Sequence, residues 1–247
     1  MSSFIALVLF AFIAVSALLV VSWANHRETR RRIIDSKLRQ LKRKYEEIQD
    51  AITNVDQLIE LRAVSVALNE EVISILQSMQ QLKPDEGYVV AALNNAEALH
   101  EELQKETAHN RVYRIRESDS KILRAQRHLD FAARVLSSQQ ALGKISQDEL
   151  NTFREALAWA HLQVGVISVV AQGHQATNRG DILTAAAYYK KAKTLLMQSG
   201  HPDPRRLVMI REMSDILHNK RTALSDNLMH EVDYNPDNEV EDPADII

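Results

Sequence analysis

An uncharged run at residues 4–24 is the feature that most constrains this chain. As an α-helix rising about 1.5 Å per residue it is about 31 Å long, close to the roughly 30 Å hydrocarbon core of a bilayer. A cleaved secretory signal normally carries positive charge before its apolar segment, whereas residues 1–3 contain no Lys or Arg. We therefore expect a transmembrane anchor at residues 1–25, in preference to a cleaved signal or a buried core helix.

A basic stretch at residues 26–44 follows the apolar run directly, and Glu28 and Asp35 are its only acidic residues. Because positive charge is retained on the cytoplasmic side, this stretch predicts a plasma (inner) membrane protein with its N-terminus outside and its C-terminal domain in the cytoplasm. Each basic residue near the surface also gains about 1 kcal/mol from anionic lipid headgroups. The predicted lipid-contacting residues are Trp23, Arg27, Arg30, Arg31 and Arg32.

Composition predicts an all-α protein. The 247 residues include only 6 Gly and 5 Pro, and segments free of both far exceed strand length. The absence of cysteine excludes disulfides, thiolate metal sites and a cysteine nucleophile. The net charge of −3 is polarised along the chain, since the basic stretch lies near one end and an acidic segment lies at the other.

Residues 33–82 contain no Gly or Pro, and apolar residues recur in their first half by alternating steps of four and three. This heptad pattern predicts a long, coiled-coil-like helix within residues 26–83 that continues from the membrane span. Two interpretations remain open: the stripe pairs with a second copy as a homodimeric stalk, or it packs on later helices of the same chain. The stripe comprises Ile34, Leu38, Leu41, Tyr45, Ile48, Ile52, Val55 and Ile59.

A domain of antiparallel helical hairpins is predicted at residues 84–228, after the break that Pro84 introduces. Ser118 is placed to cap one of its helices, and Ser146 has the capping-box spacing to Glu149 that opens the next. Gly143, between these helices, favours the left-handed conformation that ends the earlier one.

Two further helices are expected, one at residues 182–198 and one from Pro204 to about Leu224. Residues 229–247 are acidic, contain two prolines and have too little apolar surface to offset the entropic cost of ordering. We therefore expect a disordered acidic C-terminal tail.

Two adjacent segments read AQGHQATNRGD and ILTAAAYYKKAKTLL. Their small and aromatic residues are Gly173, Ala176, Gly180, Ala185, Tyr189 and Ala192. With this pattern, residues 166–196 resemble one tetratricopeptide repeat, a helical hairpin that stacks on similar hairpins. The resemblance implies that Gly173 and Ala185 permit close helix contact, that Gly180 forms the turn, and that Tyr189 and Ala192 face the neighbouring hairpin. It also implies a protein-binding groove, which makes these residues candidates for partner binding or for repeat packing.

No catalytic, cofactor-binding or metal site is predicted. The glycines are isolated from one another, so the sequence has no phosphate-binding loop, and it has no Gly-x-Ser-x-Gly elbow. Glu97 with His100 and Glu106 with His109 have a metal-ligand spacing, but the helical period places the two pairs on opposite faces. Nucleic-acid binding is not expected, because Tyr45 is the only aromatic residue among the basic ones.

These patterns favour a membrane-anchored cytoplasmic scaffold or adaptor that binds a protein partner through its hairpin surface. The alternative is a signalling or envelope-stress component whose coiled-coil stalk transmits a change across the membrane. An enzyme with an unrecognised site is the weaker alternative.

Overall fold

The computed structural model describes residues 2–105 and 112–231, apart from the side chains of residues 2–22 and 24. This part of the chain is all helical, with seven α-helices and no strand, which confirms the predicted class. The helices are α1 (Ser2–Val55), α2 (Ala63–Leu82), α3 (Gly87–Gln104), α4 (Asp119–Ala141), α5 (Gln147–Asn178), α6 (Ile182–Gln198) and α7 (Arg205–Leu217). The apolar side chains of the predicted membrane anchor lie outside the described residues.

The chain turns after α1, so the single long helix predicted within residues 26–83 is wrong. Residues 56–62 separate α1 from α2. Leu58 and Ile59 in this link are buried, and burying each of these side chains contributes about 2 kcal/mol. The Ser65 hydroxyl of α2 donates to the Asp56 carboxylate at 2.7 Å and closes the turn. The apolar stripe is therefore satisfied by a folded-back chain rather than by an extended stalk.

The second half of the heptad stripe packs within this chain. Ile48, Ile52 and Val55 are buried, and α1 contacts both α2 and α4. Leu38 and Leu41, earlier in the stripe, are partly buried against the same cluster. The structure thus supports the interpretation in which the stripe packs on the chain's own helices, and a coiled coil between two copies is not confirmed.

Local signals place several helix ends as predicted. At the start of α4 the Ser118 side chain accepts a hydrogen bond from the Lys121 amide. At the start of α5 Ser146 and Glu149 form the reciprocal capping box. Gly143, after α4, has a φ of 71°, a conformation that costs glycine little. Helix α6 has the bounds that its sequence indicated.

Helix α7 ends at Leu217, earlier than the predicted Leu224. Asn219 adopts a φ of 54°, which reverses the chain. The Ser225 amide then donates to the Glu212 carboxylate at 2.8 Å, so the segment after α7 lies back on that helix. Glu212 is only 8% exposed, so its carboxylate needs hydrogen-bond partners. The reversed segment supplies them, whereas a continued helix would not.

The packed part of the chain extends beyond the predicted boundary at residue 228. Met229 is buried in the apolar interior, and Glu231 is buried beside Arg114. The disordered tail predicted for residues 229–247 is therefore wrong for its first three residues. Residues 232–247 lie outside the described part of the chain.

Buried side chains form two clusters that share helix α5. The first core joins the end of α1, α2, α3, α4 and the first half of α5. The second core joins the second half of α5, α6, α7, the segment after α7 and Ile115. Because both clusters use α5, every residue from Gln163 to Ala171 is buried, on all sides of the helix.

By length and composition alone, one helix of the described residues could cross a membrane, and that helix is α5. Within its most apolar window of 18 residues, 72% of the residues are buried inside the protein. A central helix that other helices surround requires the same composition.

Candidate functional site

The basic stretch of α1 projects its charges into solvent. The predicted lipid-contacting residues Trp23, Arg27, Arg30, Arg31 and Arg32 are all exposed. The Arg27 guanidinium lies 5.4 Å from the centre of the Trp23 ring, which joins the aromatic and cationic groups on one face. Arg32 pairs with Glu28 at 2.5 Å, but both side chains are more than half exposed, and such pairs contribute little to stability. These side chains are thus available to an external surface, and lipid contact by them stays a prediction.

A charged cluster marks the place where α1 enters the body. The Glu71 carboxylate of α2 forms ion pairs with Lys44 of α1 and with Lys144, each at 2.7 Å. Burial raises the pKa of Glu71, but the hydrogen bonds and charges of the two lysines outweigh it and hold that pKa below its usual range. Glu71 is therefore ionised at neutral pH and fixes α1 to α2 and to the link before α5.

The small residues of the repeat-like hairpin serve close helix packing. The ring of Tyr189 lies so near Gly173 that a Cβ there would be 2.5 Å from Cε1 of the ring. Only glycine fits this position without a shift of the ring or the helix. Tyr189 therefore packs inside its own hairpin, which corrects the implied contact with a neighbouring hairpin.

Two polar side chains hold the Tyr189 ring in place. Its hydroxyl lies 2.8 Å from Nδ1 of His174 and 3.1 Å from the hydroxyl of Thr177. Burial raises the pKa of Tyr189, and the Thr177 hydrogen bond opposes that rise. The tyrosine thus remains protonated and acts as a fixed strut between α5 and α6.

Three of the other repeat positions are interior, and the fourth lies in the exposed turn. Ala176, Ala185 and Ala192 are buried, and Gly180 forms the turn with a φ of 78°. The structure therefore assigns this set to packing within the hairpin and the second core. The burial of the three alanines agrees with the repeat-packing alternative, and partner binding by this set stays a prediction.

A buried ion pair joins two segments that are far apart in sequence. Nε and Nη2 of Arg114 donate to the two carboxylate oxygens of Glu231 at 2.7 and 2.8 Å. The side chains of the two residues are 3% and 1% exposed. Burial raises the pKa of Glu231, but the hydrogen bonds and charge of Arg114 hold it below its usual range. Glu231 is thus an ionised carboxylate in the interior.

His230 completes this clasp in one tautomer. Nη2 of Arg114 lies 3.1 Å from Nδ1 of His230, so that nitrogen accepts. Nε2 then carries the proton and donates to the Val112 carbonyl at 2.7 Å. The Ser168 hydroxyl of α5 donates to the Arg114 carbonyl and accepts from the Arg116 amide. We call Arg114, His230 and Glu231 the C-terminal clasp.

Two concave regions flank the body. A groove of about 690 Å³ lies between α1 and α4, with Phe131 and Val135 as its apolar part and Lys44, Asp50 and His128 among its polar residues. A smaller cavity of about 350 Å³ lies where α5 meets the link after α1 and the link before α7. We call the second one the α5 cavity. Its residues are Glu60, Leu61, Thr152, Glu155, Ala156, Trp159, Ala160, Gln163, His201, Pro202, Asp203 and Arg205.

Sequence reasoning missed the clasp and the α5 cavity. Arg114 stood in a charged stretch without a helical pattern, and Glu231 stood in an acidic segment that was expected to be disordered. Trp159 carried no local signal beyond its place on an apolar helix. Only the spacing of polar residues along one face of α5, from Thr152 through Glu155 to Gln163, hinted that this face is not simply core.

No family model, no curated protein and no solved structure matches this chain, so its geometry alone informs the function.

Proposed function

We propose that this chain is a membrane-anchored helical adaptor that presents a protein-binding body on the cytoplasmic side. The observation that carries the proposal is the unbroken helix α1, which joins the apolar run, the exposed basic stretch and the buried end of the heptad stripe. A continuous helix has a fixed length, so α1 holds the body at a set distance from the apolar run. Between Ala24 and Leu38, the first residue of the stripe that packs on the first core, that distance is about 21 Å.

The charge pattern supports the predicted orientation. Exposed arginines follow the apolar run within two turns of helix, where a positive charge favours the cytoplasmic side and anionic headgroups. Contact with the body begins at Asp35, which pairs with Lys83 at 3.3 Å, and packing on the first core begins at Leu38, after these arginines. The part of the basic stretch that precedes Asp35, which carries these arginines, is therefore exposed and free to lie against lipid, whereas the part from Asp35 to Lys44 packs on the body.

Cysteine labelling tests the orientation directly, because the natural chain has no cysteine. Single Ser3→Cys and Gln198→Cys variants would be exposed to a membrane-impermeant maleimide in intact cells and after lysis. We expect Ser3→Cys to react in intact cells and Gln198→Cys only after lysis. Labelling of Gln198→Cys from outside, or recovery of the chain without membranes, would overturn the proposal.

A charge variant with a matched control tests the basic stretch. Replacement of Arg30, Arg31 and Arg32 by Gln removes the positive bias and is expected to yield a mixed orientation in the same labelling assay. Replacement of Lys121, Arg124 and Arg127 by Gln removes equal charge from exposed positions on α4 and is expected to leave the orientation unchanged. Equal behaviour of the two variants would show that the arginines do not set topology.

The corner between α6 and α7 is the partner surface that we assign to the body. Met197, Leu207 and Val208 are large apolar side chains and are 62%, 62% and 45% exposed. Arg206 donates to the Leu196 carbonyl at 3.0 Å, which brings the start of α7 to the end of α6. Neighbouring exposed apolar residues on a rigid corner are typical of a protein-contact surface.

Photo-crosslinking in intact membranes tests this corner. A photoreactive amino acid at Leu207 is expected to give a discrete adduct of one partner, whereas the same group at exposed Glu70 on α2 is expected to give none. A Leu207→Glu variant that melts like the wild type should lose the partner. An identical crosslinking pattern at both positions would remove the corner from the proposal.

A further inference from the structure

The α6–α7 corner presents apolar side chains beside positive charges. Its exposed apolar residues are Met197, Leu207 and Val208. Lys190 and Lys193 precede Met197 by seven and four positions, and Arg211 follows Leu207 by four. Helical periodicity therefore places each of these cations on the same helix face as an apolar residue of the corner. We call Lys190, Lys193 and Arg211 the basic rim.

The basic rim carries charge that the body does not neutralise. Within the described part of the chain its three cations pair with no carboxylate, whereas the neighbouring Lys191 pairs with Asp119. Helix α6 itself contains no acidic residue. On α7, Asp215 lies one turn beyond Arg211 and offsets only part of the positive charge. A complementary occupant of the corner therefore carries negative charge together with apolar side chains.

Residues 239–247 have this composition. They read EVEDPADII and contain four acidic residues, three large apolar residues and no Lys or Arg. The acidic residues are Glu239, Glu241, Asp242 and Asp245, and the large apolar residues are Val240, Ile246 and Ile247. Both the charge and the apolar side chains of this segment are thus complementary to those of the corner.

The corner lies within reach of this segment. The C-terminal clasp meets α5 where the Ser168 hydroxyl donates to the Arg114 carbonyl. Farther along the same helix, the Glu155 carbonyl lies 3.1 Å from Nε2 of His201, in the link between α6 and α7. Ser168 and Glu155 are 13 positions apart, which is about 20 Å along α5. The seven residues 232–238 span up to about 23 Å, so they can bridge this distance.

We propose that residues 239–247 dock on the α6–α7 corner and compete there with the protein partner. The acidic side chains pair with the basic rim, and the apolar side chains cover Met197, Leu207 and Val208. Because only seven residues connect the segment to the body, its effective concentration at the corner is about millimolar, and weak contacts suffice. This inference rests on the proposed function, since it concerns how access to the same partner surface is regulated.

A second copy and a lipid surface fit the corner less well. The corner of a second copy would bring the same positive charges to the basic rim. Arg205, at the start of α7, pairs with Glu60 at 2.9 Å, which places the corner near the link after α1. Val55 ends α1 about 46 Å along the helix from Ala24, so this link lies at the end of α1 opposite the apolar run. The acidic segment of this chain is therefore the favoured occupant.

Disulfide formation in the full chain tests the contact, because the natural chain has no cysteine. A Gln198→Cys, Ala244→Cys variant places one thiol next to Met197 and leaves the apolar and basic residues of the corner unchanged. Under mild oxidation in detergent, we expect its disulfide within one chain to form about tenfold faster than that of a control pair, because docking raises the local concentration of the thiol at position 244.

Asn178→Cys with Ala244→Cys is the matched control pair. Asn178 is exposed at the turn between α5 and α6, about 15 Å from Ser168 along α5 and thus nearer to the clasp than the corner is. Large exposed apolar residues at this turn are Ile182 and Leu183. The charges of Arg179 and Asp181 balance there. The control therefore offers reach and apolar surface without a basic rim.

A charge variant of the Gln198→Cys, Ala244→Cys chain tests the basic rim. The rim variant replaces three cations by Gln at Lys190, Lys193 and Arg211. Its disulfide should form about as slowly as that of the control pair. The control charge variant replaces three exposed cations of α4 by Gln at Lys121, Arg124 and Arg127, and its disulfide should form at the unchanged rate. Thermal melts that match the parent chain show that both variants fold.

Photo-crosslinking at Leu207 separates this inference from the proposed function. Amide replacements at the four acidic residues of the segment should increase the partner adduct about threefold, because the corner is then free in a larger fraction of molecules. A partner adduct without fast disulfide formation would overturn the docking of the segment alone. Fast disulfide formation without a partner adduct would overturn the partner surface alone.

Four further results would overturn the docking of residues 239–247. Equal disulfide rates for the two cysteine pairs would show that the segment does not prefer the corner. Disulfides between two chains would assign the corner to a second copy. Equal rates for the two charge variants would show that the basic rim is not used. Loss of the rate difference on transfer from detergent to phosphatidylglycerol vesicles would assign the corner to lipid.

Discussion

The two cores that share helix α5 are closed in different ways. The first core is dominated by aliphatic side chains from five helices, and its polar members Asn69 and Gln139 bond mainly to backbone carbonyls. The second core is smaller in helical content and is closed by the Arg114–Glu231 ion pair and by the contact of Tyr189 with Gly173.

The difference between the two cores shows what closes a helical core when few helices surround it. Apolar burial closes the interior of the first core, because α1 to α4 pack around the first half of α5, and the Glu71 ion pairs lie at its edge. The second core has only α6 and α7 against α5, so irregular segments complete it and bring buried charge with them. Such a pair stabilises only while both partners are present, and its loss is expected to affect the second core alone.

The largest expected effect comes from breaking the clasp. Glu231→Gln leaves the Arg114 charge buried without its partner and is expected to lower the free energy of unfolding by about 4 kcal/mol. Hydrogen exchange should show faster exchange in α6 and α7 and little change in α2 and α3. A double variant, Arg114→Met with Glu231→Leu, removes both charges and should recover most of the stability; equal exchange in both cores would contradict the localised effect.

The same pair predicts an acid dependence of stability. The pKa of Glu231 is lower in the folded protein than its ordinary value of 4.5, so the pair contributes fully above that value and is lost as the pH falls through the folded pKa. Arg114 hydrogen-bonds the Glu231 carboxylate, and His230, which contacts Arg114, acts on that carboxylate through charge alone. In this pH range the free energy of unfolding, measured with denaturant, should fall more steeply with decreasing pH for the wild type than for Glu231→Gln. Parallel curves for the two proteins would show that Glu231 does not titrate with the fold.

A cavity in the first core is expected to have the complementary effect. Leu129 on α4 is fully buried there, and Leu129→Ala is expected to cost about 3 kcal/mol from lost burial and the remaining cavity. Exchange should increase in α2, α3 and α4 while α6 and α7 retain more of their protection. Uniform loss of protection would mean that α5 couples the two cores into one cooperative unit.

The glycine contact gives a smaller effect. Gly173→Ala places a Cβ 2.5 Å from the Tyr189 ring, which hydrogen bonds hold in place, and is expected to cost about 2 kcal/mol. In the Tyr189→Leu background the same change should cost less, because the ring is gone. Additive effects in this double-mutant cycle, measured by thermal unfolding, would show that the two residues do not constrain each other.

The smallest effect concerns the shared helix itself. Ser146→Ala removes the side-chain acceptor at the start of α5 and is expected to lower stability by about 1 kcal/mol. Since α5 serves both cores, thermal unfolding should shift without a preference for either. Ser78→Ala, an exposed change within α2, is the control and should leave the midpoint nearly unchanged.

Signals that act within one turn of helix were predictable. The Ser146–Glu149 box and Gly143 depend only on residues a few positions apart, and α6 begins and ends where its sequence indicates. The end of α1 at Val55 was not predictable, because the heptad pattern of α1 continues through this break into α2. The candidate sites followed the same division, since the exposed arginines were predicted and the α5 cavity was not.

The sequence by itself determined that this chain is helical, where most of its helices begin, and which residues form its basic and apolar segments. These properties depend on period, capping and charge, which are local. Only the tertiary structure decided that the heptad stripe packs inward, that Tyr189 requires Gly173, and that Glu231 is buried against Arg114. The residues of these last two pairs are 16 and 117 positions apart in the sequence. No local pattern indicates that residues so far apart pack together in the interior.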